Sequence, residues 1–217
     1  MIEQAGLIVV AGGGSRRMGR DKRLLPFAGE PLLARTLRLL AGSFAEAAVV
    51  TAGGSAADAA AEETIRRIVL QFPGVRLLAD AEPNAGPLAG LSAGLAAQAA
   101  PLQLAIAADM PFPSPALAEA LLRLCRDSGA EAALPETAGR LHPLFAVYRR
   151  TLAAALGAYV AGGGRKVTDW TLSLRHAVLP EAEVRRVDPS GLALANMNRP
   201  EDYAAALRAI TPEEREE

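Results

Sequence analysis

A glycine-rich turn followed by clustered positive charge lies near the start of this 217-residue chain. Gly12, Gly13 and Gly14 leave backbone N–H groups that a ligand can approach without obstruction by side chains. The basic residues that follow, with Asp21 as the one acid among them, are Arg16, Arg17, Arg20, Lys22 and Arg23. A polyphosphate requires this combination of close amide donors and surrounding cations. The segment therefore favours phosphate binding over its alternative, a solvated basic loop.

Two familiar phosphate-binding motifs are excluded at this turn. A P-loop read from Gly14 would need Lys and then Ser or Thr after Gly19, but the chain continues with Arg20 and Asp21. A dinucleotide-binding fingerprint read from Gly12 would need glycine at position 17, which is Arg17. The turn is therefore a third kind of phosphate-binding loop.

Two aspartates follow apolar runs farther along the chain. Asp109 ends the run 102–109 and is suited to Mg²⁺, which prefers oxygen ligands together with substrate phosphates. A helix cap is the alternative for Asp109, although Ser114 is better placed for that role. Asp80 ends the run 75–80 and is suited to accept hydrogen bonds from a base or a ribose, with a plain turn residue as the alternative.

Further polar positions have a binding interpretation and a structural alternative. The backbone around Gly86, in GPLAGL (86–91), suits the edge of a base such as guanine, or is an ordinary helix start. His142 contacts a substrate or is a hydrogen-bonded structural residue, and His176 is expected at the surface. Arg165 and Lys166 form a second phosphate-compatible loop or a solvated one. Asn196 and Asn198 read as a polar turn before the last helix.

The elements that must position these residues alternate along the chain. Apolar runs at 7–10, 47–51, 75–80 and 102–109 are separated by helical patterns, which predicts parallel βαβ units in a doubly wound sheet. Ligands of such sheets bind beyond the carboxyl ends of the strands. Four strand ends, at Ala11-Gly12, Thr51, Asp80 and Asp109, should therefore converge on one crevice.

The second part of the chain has a looser pattern. Two strands around a turn at Gly139 are expected to pair antiparallel, followed by a helix from Thr151, a strand near Val184–Val187 and a proline-started last helix. We expect a single domain over 1–217. It divides into a nucleotide-binding half (1–129), an acceptor-binding lobe (130–210) and a flexible acidic tail (211–217).

The overall charge and composition limit the classes of partner and the cellular location that we expect. A net charge of −1 and a pI of about 6.2 argue against a polymeric nucleic-acid partner, which would favour a basic surface. The single cysteine, Cys125, permits no disulfide within the chain. No apolar run is long enough to span a membrane, and the N-terminus lacks the basic region of a secretory signal. We expect a cytoplasmic protein.

Taken together, the motifs resemble one family over nearly the whole chain. VAGGGSRRMGRDK resembles the signature loop of nucleotidyltransferases that hold a nucleoside triphosphate. With D…GPLAGL, AADMPF, RLHPL, GGRKVTDW and NMNRPEDY, its order and spacing are similar to those of bacterial molybdenum cofactor guanylyltransferases. AGG together with GPLAG favours the guanylyl over the cytidylyl members of the superfamily.

The resemblance implies an α/β fold of three layers, Rossmann-like and GT-A-like, with a mostly parallel central sheet and helices on both faces. It also implies roles for individual residues. The nucleotide would be bound by Val10, Ala11, Gly12, Gly13, Lys22, Thr51, Asp80, Gly86, Leu88 and Asp109. Thr51 stands where the family often has asparagine. The molybdopterin side would be formed by Arg140, His142, Arg165, Lys166 and Asn198.

The implied reaction is attack by the terminal phosphate of molybdopterin on the α-phosphorus of GTP, with release of pyrophosphate. Asp109 would hold Mg²⁺, and Lys22 and Arg17 would neutralise phosphate charge. Molybdoenzymes are expected as further partners. Three alternatives stay open: a cytidylyltransferase of the same superfamily, a guanylyltransferase with another phosphorylated acceptor, and a GTP-binding carrier without turnover.

Overall fold

The fold is an α/β sandwich whose computed structural model describes residues 2–12, 21–52, 59–80 and 86–210. Gly13 and Arg17 of the predicted site lie outside the described residues, as does the tail 211–217. Within the described parts, no helix is long and apolar enough to cross a membrane.

One mixed sheet runs through the molecule, and a small hairpin lies beside it. The strands are β1 (Gly6–Val10), β2 (Pro26–Phe27), β3 (Glu30–Pro31), β4 (Glu46–Thr51), β5 (Val75–Ala79), β6 (Leu102–Ala107), β7 (Ala132–Thr137), β8 (Arg140–Leu141), β9 (Phe145–Arg149) and β10 (His176–Leu179). The order across the sheet is β10-β7-β9-β6-β1-β4-β5, with β8 on β7, whereas β2 and β3 form the hairpin. β9 runs antiparallel to both of its neighbours, and the other pairs along this order are parallel.

Helices cover both faces of the sheet. They are α1 (Leu32–Leu40), α2 (Ala59–Val69), α3 (Pro87–Ala97), α4 (Pro115–Ser128), α5 (Ala153–Ala161), α6 (Val167–Leu172), α7 (Glu181–Val187) and α8 (Pro200–Ala209). Because side chains alternate along a strand, Leu7 and Val9 of β1 pack into the core beneath α1, α2, α4 and α7. Ile8 and Val10 pack into the second core beneath α3, α5 and α6. The predicted three-layer fold is confirmed.

Local signals located most of these elements. The Ser114 hydroxyl accepts a hydrogen bond from the Leu117 backbone N–H at 3.2 Å, and Pro115 is the first residue of α4, as predicted. The strands around Gly139 do pair antiparallel. The helix expected from Thr151 begins as a 3-10 turn (Arg150–Leu152) and continues as α5.

One sequence expectation in the last third is wrong, and a second is met only in part. The segment Val184–Val187 is the end of helix α7, and the late strand is β10, which precedes it. Arg185 and Arg186 pair with Glu181 and Glu183 one helical turn earlier, a spacing that stabilises a helix. His176, expected at the surface, is partly buried in β10, with Nδ1 at 2.9 Å from the Leu174 carbonyl oxygen.

Candidate active site

The carboxyl ends of β1 and β6 form the floor of the first cavity. The Ala11 N–H donates to the Val50 carbonyl at 2.8 Å and the Ala108 N–H to the Val10 carbonyl at 3.1 Å, so pairing continues past the strand ends. The cavity has a volume of about 340 Å³. Its described lining residues are Val10, Ala11, Gly12, Lys22, Arg23, Pro87, Ala107, Ala108, Asp109, Leu144, Asn196 and Asn198. This is the predicted location, beyond the carboxyl ends of parallel strands.

A cation and a carboxylate face each other in this cavity. Lys22 Nζ lies 3.7 Å from Asp109 Oδ2 and donates a hydrogen bond to Asn198 Oδ1 at 3.0 Å. The two charged side chains are only 15% and 23% exposed. Burial raises the pKa of the Asp109 carboxyl, and the positive charge of Lys22 opposes that rise. Two residues predicted independently to bind phosphate and metal are thus brought together by the fold.

Arg23 shapes the loop that carries Lys22. Its guanidinium pairs with Asp21 at 2.6 Å and Glu62 at 3.2 Å, and donates to the Ala11 carbonyl at 2.9 Å. Burial lowers the pKa of Arg23, but the two carboxylates more than offset it, so the net change is upward. Arg23 therefore lines the cavity and also connects the basic loop to the end of β1 and to α2. The sequence placed Arg23 in a cationic cluster but did not predict this structural role.

The loop that carries Asp109 is held by a buried arginine. Arg35 of α1 is 2% exposed and donates from Nε to the Pro111 carbonyl at 2.9 Å. Its guanidinium also lies over the rings of Phe27 and Phe112, at 5.4 and 5.9 Å from their centroids, within cation–π distance. Sequence reasoning missed Arg35 because its position in a helical pattern carries no sign of these partners.

The predicted nucleoside contacts differ in burial and in surroundings. Asp80 is 6% exposed and lies close to Gly12: a Cβ added to Gly12 would be 3.8 Å from Asp80 Oδ2. Gly86, with φ of +73°, caps α3 in a conformation that favours glycine. Thr51 is buried, its hydroxyl 3.5 Å from the Leu78 carbonyl, and Leu88 is fully buried in the core. None of Asp80, Gly86, Thr51 and Leu88 is among the described residues that line the first cavity or the one beside it, so a nucleotide contact at Leu88 would involve its backbone.

A second cavity, of about 640 Å³, adjoins the first. It brings together all five predicted acceptor-binding residues: Arg140, His142, Arg165, Lys166 and Asn198. Pro87, Leu144, Asn196 and Asn198 line both cavities and therefore form the boundary between them. Asn196, read from the sequence as part of a polar turn, is thus a site residue, and the paired asparagines of NMN were its only signal.

The basic side chains of the second cavity are not equivalent. His142 Nε2 lies 2.7 Å from the Thr137 hydroxyl. Burial, together with the positive charge of Arg140, lowers the pKa of His142, which favours the neutral imidazole. Arg165 donates to the Val160 and Gly164 carbonyls at 2.9 and 2.8 Å, whereas Lys166 is exposed, 3.8 Å from Asp169. Among the described residues that line this cavity, the cationic side chains are therefore Arg140, Arg165 and Lys166.

The described residues suit a magnesium ion held mainly by its substrate. They contain no group of three or more His, Cys, Asp or Glu side chains that could enclose a metal ion. Mg²⁺ is commonly held by one or two carboxylates plus substrate phosphates and water. The largely buried carboxylate of Asp109 at the cavity wall fits that donor set.

Comparison with known proteins adds the family. The family model described as the MobA-like NTP transferase domain matches residues 7–178. A protein of Chloroflexus aggregans named probable molybdenum cofactor guanylyltransferase is 38% identical over 203 residues, which cover 90% of this chain and 89% of that protein. The chain belongs to the MobA-like NTP transferase family. It is therefore a nucleotidyltransferase by family, as the loop at residues 10–22 predicted.

Solved structures agree with the fold of this family. Molybdopterin-guanine dinucleotide biosynthesis protein A from Archaeoglobus fulgidus superposes with a TM-score of 0.78 at 23% identity, covering 94% of this chain and 97% of that one. The 2-C-methyl-D-erythritol 4-phosphate cytidylyltransferase from Thermus thermophilus superposes with a TM-score of 0.62 at 20% identity, covering 94% and 97%. Because the second is a cytidylyltransferase, the fold alone does not select the base.

Proposed function

We propose that this protein transfers GMP from GTP to the terminal phosphate of the molybdenum–molybdopterin cofactor and releases pyrophosphate. The observation that carries the proposal is the pair of adjoining cavities: one with Lys22 and Asp109, one with a cationic lining, sharing a boundary at Asn196 and Asn198. A nucleotide in the first and a phosphorylated acceptor in the second would meet at that boundary. Relatives named probable molybdenum cofactor guanylyltransferase support this choice of acceptor and base.

The proposed step needs positioning and charge neutralisation. An oxygen of the acceptor phosphate forms a bond to the α-phosphorus of GTP, the bond from that phosphorus to the bridging oxygen of the β-phosphate breaks, and pyrophosphate leaves. Lys22 neutralises phosphate charge, and a protein nucleophile is not required. Mg²⁺ held by Asp109 would neutralise further charge on the phosphates. Arg17, which lies outside the described residues, is proposed as a second cation on the triphosphate.

Guanine selection is assigned to the backbone near Gly86. Gly86 caps α3 in a left-handed conformation, and Pro87 beside it lines both cavities. Backbone carbonyl and N–H groups at such a turn match the O6 acceptor and the N1–H and N2–H₂ donors of guanine. A cytidylyltransferase activity is the alternative within the family, since both activities occur on this fold. We place the reaction in the cytoplasm and expect molybdoenzymes to receive its product.

Calorimetric titration with GTP, CTP and ATP, with and without Mg²⁺, tests which nucleotide the protein prefers. Release of pyrophosphate in the presence of molybdopterin tests whether the protein catalyses the transfer. We expect GTP to bind about tenfold more tightly than CTP or ATP, one or two hydrogen bonds making the difference. Lys22→Ala should weaken GTP binding, whereas Arg123→Ala, on the exposed face of α4, should not. A preference for CTP would move the activity to the cytidylyl branch, and binding without pyrophosphate release would indicate a carrier.

A further inference from the structure

The turn formed by Asn196, Met197 and Asn198 is attached to both charged groups of the first cavity. The Met197 N–H donates to the Asp109 carbonyl at 3.0 Å, which fixes the turn against the loop after β6. Asn198 Oδ1 accepts the hydrogen bond from Lys22 Nζ at 3.0 Å. The position of the Lys22 ammonium therefore depends on where the backbone of this turn places the Asn198 side chain.

Asp202 holds the backbone of that turn. Its Oδ2 accepts from the Asn198 N–H at 2.9 Å and from the Arg199 N–H at 2.8 Å. Both donors stand at the start of α8, where a carboxylate is also favoured by the helix dipole. The hydrogen bonds thus connect Asp202 to Asn198, and Asn198 to Lys22.

The surroundings of Asp202 make its charge unexpected. It lines the second cavity and is the only acidic residue among the described residues that do so, beside Arg140, Arg165 and Lys166. A carboxylate there opposes the binding of a phosphorylated acceptor by like-charge repulsion. Its two backbone hydrogen bonds give a reason for an acid at this place, since a neutral side chain would hold the turn less strongly.

Helix α8 does not depend on Asp202 alone for its position. Met197, Ala206 and Ile210 pack with Phe27 and Leu32 in a separate apolar cluster. The Tyr203 hydroxyl donates to the Pro26 carbonyl. Removal of the Asp202 carboxylate should therefore loosen the turn while the helix stays docked.

We propose that Asp202 is a positioning residue for Lys22, acting through Asn198 to hold the ammonium where the nucleotide phosphates bind. The inference rests on the proposed function, because it takes Lys22 to contact the triphosphate. It predicts that a change on the acceptor side of the boundary alters affinity on the nucleotide side.

The test compares Asp202→Ala with Glu201→Ala. Glu201 stands beside Asp202 in the first turn of α8, is exposed, and carries the same charge, so its removal changes the net charge of the turn without removing the two backbone hydrogen bonds. Dissociation constants are measured for GTP, and for guanosine, which lacks phosphates. For Asp202→Ala we expect the GTP constant to rise about tenfold, as for a lost charge-assisted contact, and the guanosine constant to stay within about twofold. Glu201→Ala should change neither.

Two further variants separate positioning from other causes. Asp202→Asn keeps an acceptor oxygen without the charge and should restore part of the GTP affinity, giving a dissociation constant between those of Asp202→Ala and the wild type. In a Lys22→Ala background, Asp202→Ala should have no additional effect on GTP binding, because the route to the phosphates is already broken. A purely electrostatic role predicts the opposite sign, since loss of a negative charge near bound phosphates would tighten GTP binding.

Several results would overturn the inference: unchanged or tighter GTP binding in Asp202→Ala, an equal loss of guanosine binding, or a full additional loss in the Lys22→Ala background. Its failure is distinct from failure of the proposed function. A wild-type protein that binds GTP selectively, with Asp202→Ala equal to it, refutes only the positioning role. A wild-type protein that binds none of the three triphosphates refutes both.

Discussion

At the scale of single residues, burial and a neighbouring cation act in opposite directions on Asp109. Burial raises the pKa of its carboxyl, and Lys22 at 3.7 Å lowers it, with burial the larger effect. An acid whose pKa is higher in the folded than in the unfolded protein makes the folded state bind protons more readily. The free energy of unfolding therefore falls as the pH rises through the interval from the unfolded to the folded pKa.

This linkage gives opposite predictions for activity and stability in Asp109→Asn. Loss of the proposed metal ligand should lower guanylyl transfer about a thousand-fold or more, since metal ions contribute several kcal/mol to such transition states. Above the pKa interval, loss of the buried charge should raise the thermal midpoint. Differential scanning calorimetry at pH 7 and pyrophosphate release measure the two effects. Asp127→Asn, at an exposed position of α4, is the control and should change neither; a lower midpoint for Asp109→Asn would contradict the burial argument.

The pH profile of kcat/KM follows from the same carboxyl. Activity should decrease as the pH falls through the raised pKa of Asp109, at a higher pH than for an ordinary aspartate. Lys22→Met removes the cation that opposes the rise, so the acidic limb should move to still higher pH in the residual activity. If the acidic limb stays at the same pH after this substitution, Asp109 is not the group whose protonation lowers the activity.

Side-chain types after a glycine-rich turn or a strand end indicated Lys22, Asp109 and, as one of two alternatives, Arg165 and Lys166. Arg140 and the acceptor side itself came only from the family resemblance. The contacts among these residues could not be predicted from the sequence. The partners Lys22 and Asn198 are 176 positions apart, and tertiary contacts of the turn and of α8 bring them within 3.0 Å. Asp202 was equally hidden, since an acid in the first turn of a helix is ordinary.

At the scale of elements, α3 is set against the sheet by glycines. A Cβ at Gly94 would stand 2.5 Å from Ile8 Cγ2, and one at Gly90 would stand 3.1 Å from Val10 Cγ1. This close approach brings the start of α3, with Gly86 and Pro87, to the end of β1. The position of the cavity wall thus depends on residues two turns away from it.

Gly94→Ala should therefore destabilise the protein, although alanine is the better helix former. Because β1 and α3 cannot both keep their places, we expect a loss of about 1–3 kcal/mol and weaker GTP binding. Gly157→Ala in α5 is the matched control: its nearest neighbour would be Ser92 Oγ at 3.9 Å, an ordinary contact. That variant should gain about 0.5–1 kcal/mol from helix propensity. Urea unfolding measures both, and equal effects would refute the steric argument.

Strands β1, β4, β5 and β6 were predictable because a glycine or an aspartate follows each apolar run within two residues. The short hairpin of β2 and β3 was not predicted. Prediction failed at Val184–Val187, where two valines flank two arginines. A stretch this short fits the hydrophobic period of a helix as well as that of a strand. The ion pairs to Glu181 and Glu183 and the burial of Val184 against the sheet make it a helix. Sequence pattern cannot decide a segment whose structure is set by its packing partners.

At the scale of the whole molecule, β9 joins the two predicted halves of the chain. It pairs with β6 from Leu102↔Arg149 to Ile106↔Phe145 and with β7 on its other side, so the sheet has no break at residue 130. Helices α3 and α5, one from each half, also pack together. The division into a nucleotide-binding half and an acceptor-binding lobe thus coincides with no gap in the described sheet.

Unfolding should consequently be one cooperative transition. Trp170, the one tryptophan of the sequence, lies in the second half against Tyr148, so its fluorescence reports on that half, whereas circular dichroism reports on all helices. We expect the two signals to have the same urea midpoint. A fragment of residues 1–129 should not fold, because β6 loses β9. Fluorescence that changes at lower urea than circular dichroism would show two separately stable halves.

The central place of β1 in the sheet has a consequence for synthesis on the ribosome. Of the three paired strands β1, β4 and β6, β1 is made first, and its neighbours are complete only at residues 51 and 107. Until then, its run of apolar side chains has no sheet partner on the β6 side. The nascent chain therefore exposes a fully buried strand until residue 107 has been made, and we expect chaperones that bind extended apolar segments to protect it.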